Sequence, residues 1–186
     1  MVFFQPLHMA ISHEKKPLRQ YYRELVRDLP DRELRSRSAL NQLLSQQLLN
    51  DTKRVAVFCS LENEVNTLPF VQYCWDQKIS VCLPESDRSE PSLTICFREW
   101  RPDSRMIKHS LGMLHPQGGE LYSLHDIDLL LVPGLAFRPD GYRLGRGMGF
   151  YDRLLAQYTG TSLGICFEEQ ICHELPLEEH DLPVTA

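Results

Sequence analysis

The sequence predicts an α/β fold, a three-layer α/β/α sandwich with a mostly parallel central sheet. Short β-branched, apolar runs such as "RVAVFCS" (54–60) alternate with stretches of helical periodicity. The run "DIDLLLVPG" (126–134) is the strongest strand signal and ends at Pro133 and Gly134. With 186 residues, 42% of them hydrophobic and 24% charged, the chain has the size and composition of one ordinary globular domain. We therefore expect a single domain over residues 15–186, preceded by a flexible N-terminal extension, residues 1–14.

Two helices are predicted at the start of this domain. Residues 15–50 contain no glycine, and apolar residues recur there at steps of three and four. In the first helix these residues are Leu18, Tyr22, Leu25, Val26 and Leu29. Pro30 and Asp31 then begin a second helix, whose leucines suit a helix that covers a sheet, with its charged residues on a solvated side.

Strands and helices alternate along the rest of the chain. The pattern predicts strands at 54–60, 79–86, 91–100, 126–134 and 161–167, helices at 68–78 and 150–158, and loops at 61–67, 101–120 and 175–186. The strand at 91–100 is expected near an edge. This alternation implies right-handed crossovers in a Rossmann-like sheet, of the kind that sugar-phosphate isomerases also have. Ligands bind beyond the carboxyl ends of such strands, so segments 61–67 and 134–152 should meet across one cleft.

Charge and cysteine content exclude several classes of protein. A net charge of -5 argues against a general nucleic-acid binder, although a local basic pocket for an anion remains compatible with it. The opening "MVFFQPLHMAIS" lacks a basic n-region and is too short to span a membrane. The six cysteines form no CxxC pair and mostly lie in apolar runs, which predicts buried thiols in a reducing, cytoplasmic protein.

The segment "GYRLGRGMGFYDR" (141–153) combines four glycines with three arginines and precedes a helical pattern. Glycines allow backbone N–H groups to approach a ligand closely, and a helix N-terminus favours an anion. Arg143 and Arg146 would add bidentate contacts to phosphoryl oxygens. Asp152 suits either a metal ligand or a first-turn helix residue. The segment matches neither a Walker A loop nor a G-x-G-x-x-G fingerprint, so a structural turn with solvated arginines is the alternative to phosphate binding.

The order of residues is more specific than this composition. "VPGLAFRPDGYRLGRGMGFYDR" (132–153) resembles the signature of the 5-formyltetrahydrofolate cyclo-ligase family. The segments "KKPLR" (15–19), "FCSLENEVNT" (58–67) and "FEEQICHELPLEEHDLPV" (167–184) are also similar to that family, whereas 85–120 is least similar. The resemblance implies ATP- and Mg²⁺-dependent cyclisation of 5-formyltetrahydrofolate to 5,10-methenyltetrahydrofolate, with release of ADP and phosphate. The formyl oxygen would be phosphorylated and N10 would then attack the formyl carbon.

The resemblance also implies roles for individual residues. Catalysis would involve Lys15, Arg143 and Arg146. ATP would contact Lys15, Arg19, Arg143, Leu144, Gly145, Arg146, Gly147, Met148, Gly149, Phe150 and Tyr151. The folate would contact Cys59, Leu61, Glu64, Arg146, Gly147, Met148, Gly149 and Phe150, and Mg²⁺ would bind Asp152 and Asp181. On these roles, Arg146→Ala and Asp152→Asn should sharply lower turnover with little loss of thermal stability.

Without the resemblance, the same residues have simpler interpretations. Lys15 and Arg19 would form an exposed basic helix start. Asp181 would be a turn residue. Glu64, assigned to the N3–H and 2-amino edge of the pterin, would be a loop acid that caps a helix, and Glu62 competes with it for the pterin role.

Three residues depart from the family pattern. Thr185 stands where many members have a second aspartate. Met148 stands where glycine or lysine is common in the family, and His115 stands where an acidic residue is common.

Two other functions compete with this one. One competing function is a non-catalytic folate- or nucleotide-binding sensor, which would bind folinate yet release no ADP. The other is a sugar-phosphate isomerase, which would ignore both ATP and folinate. For the enzyme we expect small-molecule substrates and a monomer or weak homodimer, without nucleic-acid or membrane partners.

Overall fold

The structure is a computed structural model that describes residues 14–86, 95–108 and 114–185. Two helices come first among these residues. Helix α1 (Lys15–Arg27) buries Tyr22 and Val26, and helix α2 (Arg32–Ser45) buries Leu40 and Leu43. Asp31, with a φ of 53°, separates them. Both predicted helices are present, but Leu34, a leucine predicted to lie on the covered side of the second helix, is 68% exposed. The predicted extension, residues 1–14, lies outside the described residues except for Glu14 at the start of α1.

Short strands and two further helices make up most of the remainder. Helix α3 spans Leu68–Asp76 and α4 spans Phe150–Leu155, while 3-10 turns occupy Gln47–Leu49, Leu124–Asp126 and Glu168–Gln170. The described residues form ten strands: β1 (Arg54–Ala56), β2 (Ser80–Ser86), β3 (Ile95–Glu99), β4 (Arg105–Lys108), β5 (Leu114–Gln117), β6 (Leu121–Tyr122), β7 (Leu129–Val132), β8 (Ala136–Phe137), β9 (Arg143–Leu144) and β10 (Thr161–Gly164). Helix α4 is shorter than the predicted 150–158, and α3 ends two residues before the predicted 78.

Six strands form the main sheet in the order β10-β7-β1-β2-β3-β6. β1 is parallel to both β2 and β7, and β10 is parallel to β7. β3 pairs with β2, and β6 with β3, in the antiparallel sense. The connection between β2 and β3, residues 87–94, is shorter than the dozen or so residues that a parallel crossover needs, which explains the change of direction. The predicted α/β class with a mainly parallel sheet is confirmed.

Helices cover both faces of the sheet. Successive side chains of a strand point to opposite faces, so each central strand contributes side chains to two apolar layers. On one face, Val55 and Leu129 belong to a core cluster that includes Leu40 of α2 and Phe70 of α3. On the other face, the buried strand residues Ala56, Leu130 and Val132 share a cluster with Leu154 of α4. Burial on both faces accounts for the continuous apolar run of β7 and gives the predicted three layers.

The sequence prediction was wrong for the segment 101–120. It was expected to be a loop, but β4 and β5 pair there as an antiparallel hairpin in which Met106 lies opposite Pro116 and Ile107 opposite His115. Glycine, proline and serine are typical of loops, and each of the two strands is only four residues long. The sequence pattern therefore does not indicate the pairing.

The cysteine prediction was correct for two of six residues. Cys74 and Cys82 are fully buried, whereas Cys59, Cys96, Cys166 and Cys172 are partly exposed. Burial raises the pKa of both Cys74 and Cys82 to about 12.

Within residues 14–86, 95–108 and 114–185, every helix is too short or too polar to cross a lipid bilayer.

Candidate active site

A cavity lies at the carboxyl edge of the main sheet, where β1, β2 and β7 end. Four segments line it: the loop after β1, the end of β2, the start of β5, and the chain from Pro133 to the first turn of α4. The predicted site residues that line this cavity are Cys59, Leu61, Glu64, Arg143, Gly145, Arg146, Met148, Gly149, Phe150, Tyr151 and Asp152. Segments 61–67 and 134–152 therefore meet across one cleft, as predicted.

The glycine-rich loop is shaped by β8, β9 and two glycines. β8 and β9 pair as a short antiparallel ribbon, and Gly147 and Gly149 follow with φ angles of 102° and 61°. These angles lie in the left-handed region, which side chains with a Cβ rarely adopt. A Cβ at Gly147 would also lie 3.4 Å from the guanidinium carbon of Arg19. The tight path of the loop thus depends on glycine at both positions.

Arg19 of α1 supports this loop from its outer side. Its Nε donates a hydrogen bond to the carbonyl oxygen of Gly145 at 2.9 Å. Arg19, Leu144, Gly147, Lys15 and Asp181 are the predicted site residues that do not line the cavity. Leu144 instead packs in the core beside Tyr22. The structure thus places Arg19 next to the loop and Lys15 beside the C-terminal segment, and neither residue lines the cavity.

Arg143 joins β9, the first turn of α4 and the C-terminal segment. Its side chain is only 2% exposed, its Nη2 donates to Asp152 Oδ1 at 2.8 Å, and its Nη1 donates to the carbonyl oxygen of Leu182 at 2.7 Å. Burial lowers the pKa of Arg143, and the negative charges of Asp152 and Asp181 oppose that shift. The guanidinium remains a cation because its ordinary pKa is so high.

Lys15 binds the C-terminal segment through two carboxylates. Its Nζ lies 2.6 Å from Asp181 Oδ2 and 2.8 Å from Glu178 Oε2. Burial would lower the pKa of Lys15, but the hydrogen bonds and charges of Asp181 and Glu178 outweigh it and raise that pKa. Burial would likewise raise the pKa of Asp181, yet Lys15 and the backbone N–H of Glu178 lower it. The predicted phosphate-binding lysine and the predicted metal-binding aspartate are therefore direct neighbours.

Asp152 of α4 contacts the C-terminal segment at the residue that follows Asp181, the other predicted metal ligand. The backbone N–H of Leu182, the residue after Asp181, is 3.5 Å from Asp152 Oδ1. Carboxylate oxygens are the ligands that Mg²⁺ prefers, so the donor type fits. Ligand atoms of Glu178, His180 and Asp181 also lie within 4.8 Å of one another. Asp152 and Asp181 each pair here with a cationic side chain, which a bound Mg²⁺ would have to displace or share.

Glu64 and Arg146 form an ion pair across the cavity. Glu64 Oε1 accepts from Arg146 Nη2 at 2.7 Å and from Nε at 3.1 Å, while Oε2 accepts the backbone N–H of Leu61 at 2.9 Å. Arg146 Nη2 also donates to Asn63 Oδ1 at 3.1 Å. The Glu64 side chain is 8% exposed, whereas that of Glu62 is 93% exposed and points away from the cavity. Of the two acids that compete for the pterin role, Glu64 is thus the one that lines the cavity.

Apolar side chains form the mouth and wall of the cavity. Leu61, Leu114 and Met148 are exposed there, and Cys59 lies behind them. Burial raises the pKa of the Cys59 thiol, which therefore stays neutral near pH 7. Burial also raises the pKa of Tyr151 well above its ordinary value. An apolar wall with a few convergent polar groups is typical of a small-molecule site.

The sequence analysis missed several residues of the cavity and its support. Phe58, Glu85, Leu114 and His115 line the cavity. The one available signal for Glu85 was the end of the predicted strand at 79–86, because ligands bind beyond the carboxyl ends of such strands. Leu114 and His115 reach the site through the hairpin that was not predicted.

Helix α2 holds the loop that carries Glu64. Arg32 Nη1 donates to the carbonyl oxygen of Glu62 at 2.8 Å. The buried Ser36 Oγ accepts the backbone N–H of Asn66 at 3.1 Å, and Glu33 Oε2 accepts the Asn66 side-chain amide at 3.3 Å. These contacts join residues about 30 positions apart, so local sequence patterns do not indicate them.

Comparison with known proteins identifies the family. The model of the 5-formyltetrahydrofolate cyclo-ligase family matches residues 11–186. The 5-formyltetrahydrofolate cyclo-ligase of Haemophilus influenzae is 30% identical over 153 residues, which cover 77% of this chain and 81% of that protein. The Mus musculus cyclo-ligase is 25% identical over 189 residues, with 95% and 93% covered. Among solved structures, the Aquifex aeolicus 5,10-methenyltetrahydrofolate synthetase has a TM-score of 0.80 and 29% identity over 91% of this chain and 86% of that one. This chain therefore belongs to the 5-formyltetrahydrofolate cyclo-ligase family.

Proposed function

We propose that this chain is an enzyme that uses ATP and Mg²⁺ to cyclise 5-formyltetrahydrofolate to 5,10-methenyltetrahydrofolate, releasing ADP and phosphate. The observation that carries the proposal is the cavity at the sheet edge. There the buried carboxylate of Glu64 and the guanidinium groups of Arg143 and Arg146 converge on a glycine-rich loop. Family membership and the shared fold of the Aquifex aeolicus synthetase support the same activity.

The chemistry of the substrate explains why such a site needs a phosphate donor. A formamide carbonyl is a poor electrophile and its oxygen a poor leaving group. Transfer of the γ-phosphoryl group of ATP to the formyl oxygen releases ADP and activates the carbon. N10 then attacks that carbon and loses its proton, and phosphate leaves as the ring closes. Because both nitrogens belong to one molecule, ring closure has a high effective molarity, so the protein chiefly organises phosphoryl transfer.

Cationic side chains of α1 and the glycine-rich loop would bind the triphosphate. In this proposal Arg143 and Arg146 stabilise charge on the transferred phosphoryl group, with Lys15 approaching from α1. Arg19 would hold the loop and add a positive charge beside it. The backbone of the loop from Leu144 to Tyr151 would supply N–H donors to the phosphate oxygens.

Asp152 and Asp181 are the residues we propose for Mg²⁺, together with water and phosphate oxygens. When bound, the ion would neutralise charge on the phosphates during transfer. Asp181 would then share its charge between Lys15 and the ion, and the ammonium group of Lys15 would be available to the phosphates.

Glu64 is the residue we propose for recognition of the pterin. A carboxylate accepts two hydrogen bonds from the N3–H and 2-amino edge of the ring. Cys59, Leu61, Met148 and Phe150 would cover the ring and the chain that extends from it. We also propose that the enzyme acts in the cytoplasm as a monomer or weak homodimer, a location in keeping with six cysteines that form no disulfide within the described residues.

Absorbance at the methenyl-folate band, roughly 360 nm, tests this function directly. The purified protein should raise this absorbance only when folinate, ATP and Mg²⁺ are all present. Tight folinate binding with no rise and no ADP would favour the sensor. A protein that binds neither folinate nor ATP would contradict the proposal and leave the sugar-phosphate isomerase as the better candidate.

A further inference from the structure

Arg146 and Glu64 tie together the two walls of the cavity. The pair joins residues 82 positions apart, one on the loop after β1 and the other on the glycine-rich loop. Glu64 is nearly buried while Arg146 remains 35% exposed, so the pair lies at the border between the cavity and solvent. In the proposed function Glu64 belongs to the folate and Arg146 to the triphosphate, which places one side chain of each substrate site in this single contact.

The hydrogen bonds of Arg146 conflict with binding to a phosphate. A guanidinium grips a phosphate with two parallel N–H groups on one edge. Both edges that contain Nη2 are affected here, since Nη2 serves Asn63 Oδ1 and Glu64 Oε1 while Nε also serves Glu64 Oε1. Bidentate contact through Nε and Nη2 therefore requires Arg146 to leave Glu64, whereas contact through Nη1 and Nη2 would displace Asn63 alone.

The hydrogen bonds of Glu64 conflict with recognition of a pterin in the same way. Oε1 receives two N–H groups from Arg146 and Oε2 receives the backbone N–H of Leu61. A pterin edge would bring two further N–H donors to these oxygens. The folate must therefore displace Arg146 before it can use both oxygens.

The size of the cavity agrees with this state of the site. Its volume of about 230 Å³ is below the roughly 300–1,000 Å³ of sites that hold drug-sized ligands. Arg146 is a long side chain at the rim of the cavity, so its withdrawal from Glu64 would enlarge the space between the two walls.

We infer that the Arg146–Glu64 pair is a latch that couples the two substrate sites, so that binding of either substrate strengthens binding of the other. The inference rests on the proposed function. A folate that uses both Glu64 oxygens breaks the pair, and so does a phosphoryl group that binds the Nε–Nη2 edge of Arg146. The substrate that binds second then binds without that cost. Thermodynamic linkage makes the effect reciprocal, and we expect a change in affinity of about tenfold in each direction.

The test measures affinity for a non-hydrolysable ATP analogue with Mg²⁺ by titration calorimetry, with and without saturating 5-formyltetrahydrofolate. In the unmodified protein the folate should tighten analogue binding about tenfold. Glu64→Gln should bind the analogue about tenfold more tightly than the unmodified protein when no folate is present, and folate should add nothing. If the role of Glu64 were merely structural, its replacement in the folate site would not tighten nucleotide binding.

Glu62→Gln is the matched control, because Glu62 is an exposed acid two positions away that does not line the cavity. It should show the same coupling as the unmodified protein. Arg146→Gln gives the reciprocal measurement and serves if Glu64→Gln fails to fold: it should bind 5-formyltetrahydrofolate alone more tightly. Unchanged or weaker analogue binding by Glu64→Gln, or unchanged or weaker folate binding by Arg146→Gln, would overturn the latch. Turnover by the unmodified protein in the absorbance assay is judged separately, so the latch can fail while the proposed function stands.

Discussion

Arg143 and Arg146 are only three residues apart, yet their environments differ greatly. Arg143 is almost completely buried and is balanced by Asp152, while Arg146 is one-third exposed and contacts Glu64. Removing one partner of a buried ion pair costs several kcal/mol because the other charge is left uncompensated, whereas exposed pairs contribute little. The same loop thus carries one arginine whose ion pair also stabilises the fold and one whose ion pair contributes little to it.

This difference changes the expectation from sequence that Asp152→Asn would barely affect stability. We predict that Asp152→Asn lowers the free energy of unfolding by about 2 kcal/mol, less than for a fully buried pair because Asp152 is 21% exposed. Arg146→Ala should cost at most about 1 kcal/mol. Both should lower turnover at least tenfold, if each contacts the transferred phosphoryl group or its metal.

Urea unfolding of the two variants, paired with the absorbance assay, measures both effects. The proposed functional roles require low turnover in each variant even at temperatures where it is fully folded. If Asp152→Asn were as stable as the unmodified protein, Arg143 would have to be compensated by other groups, and the structural account of this pair would be wrong.

Helix α2 positions the substrate loop although it contributes no residue to the cavity. Its buried Ser36 accepts the backbone N–H of Asn66, and Asn66 follows Glu64 by two residues. Ser36→Ala would leave that N–H without its acceptor and loosen the loop. We predict a rise of roughly three- to tenfold in KM for 5-formyltetrahydrofolate, with KM for ATP changed less than twofold, because about 1 kcal/mol is at stake.

Ser38→Ala is the matched control for Ser36→Ala, since Ser38 is exposed on the same helix. In steady-state kinetics, with the second substrate held at a saturating concentration, Ser38→Ala should have the same two KM values as the unmodified protein. Equal increases in both KM values for Ser36→Ala would indicate general loss of structure rather than displacement of the loop.

Helix α1 is fastened to the C-terminal segment by Lys15 and Asp181. The lowered pKa of Asp181 means that its contribution to stability is fully present above the ordinary value of 3.8 and is lost as pH falls through its folded value. The raised pKa of Lys15 gives a contribution that is present below 10.5 and lost as pH rises through its folded value. The pair should therefore stabilise the protein throughout the neutral range.

We predict that Lys15→Met lowers the free energy of unfolding by about 2 kcal/mol at pH 7, because Asp181 loses its partner. The deficit should shrink as pH falls below 3.8, where the carboxyl begins to be protonated. Lys16→Met, at an exposed position beside it, should stay within about 0.5 kcal/mol of the unmodified protein. Denaturant titrations from pH 7 to the lowest pH at which the protein is folded measure this, and a deficit independent of pH would argue against the pairing.

The elements that sequence could predict are those with a local signal. The spacing of Tyr22 and Val26 predicted α1, and the apolar run of β7 predicted a buried strand. The hairpin of β4 and β5 has no such signal, because its four-residue strands become strands only by pairing with each other. The antiparallel end of the sheet likewise follows from a short connection rather than from residue type.

The candidate site divides along the same line. Glycines and arginines within one 13-residue segment could be found from sequence, and so could the sheet edge at which they lie. The pairings of Lys15 with Asp181 and of Glu64 with Arg146 join residues 166 and 82 positions apart. Tertiary structure alone determines them, so the sequence predicted the residues but not that each pair would neutralise itself.

At the scale of the whole molecule, one sheet separates two apolar layers, and each contains a fully buried cysteine. Cys74 of α3 belongs to the core cluster on one face, and Cys82 of β2 belongs to the cluster on the other. Their raised pKa values of about 12 keep the thiolate fraction near pH 8 at roughly 1 in 10⁴, and burial excludes reagents. The two thiols therefore report the opening of two different layers.

We predict that Cys74 and Cys82 become reactive together, because the two layers share one sheet within a single domain and should unfold as one cooperative unit. Iodoacetamide labelling at pH 8 across a urea series, with each cysteine resolved by mass spectrometry, should give coincident midpoints for the two sites. Cys172 is partly exposed and serves as the control that reacts before unfolding. If Cys82 were labelled at a clearly lower urea concentration than Cys74, the layer containing α4 would open independently. The glycine-rich loop and its arginines would then belong to a less stable unit than the loop that carries Glu64, and the chain would not behave as the single domain expected for residues 15–186.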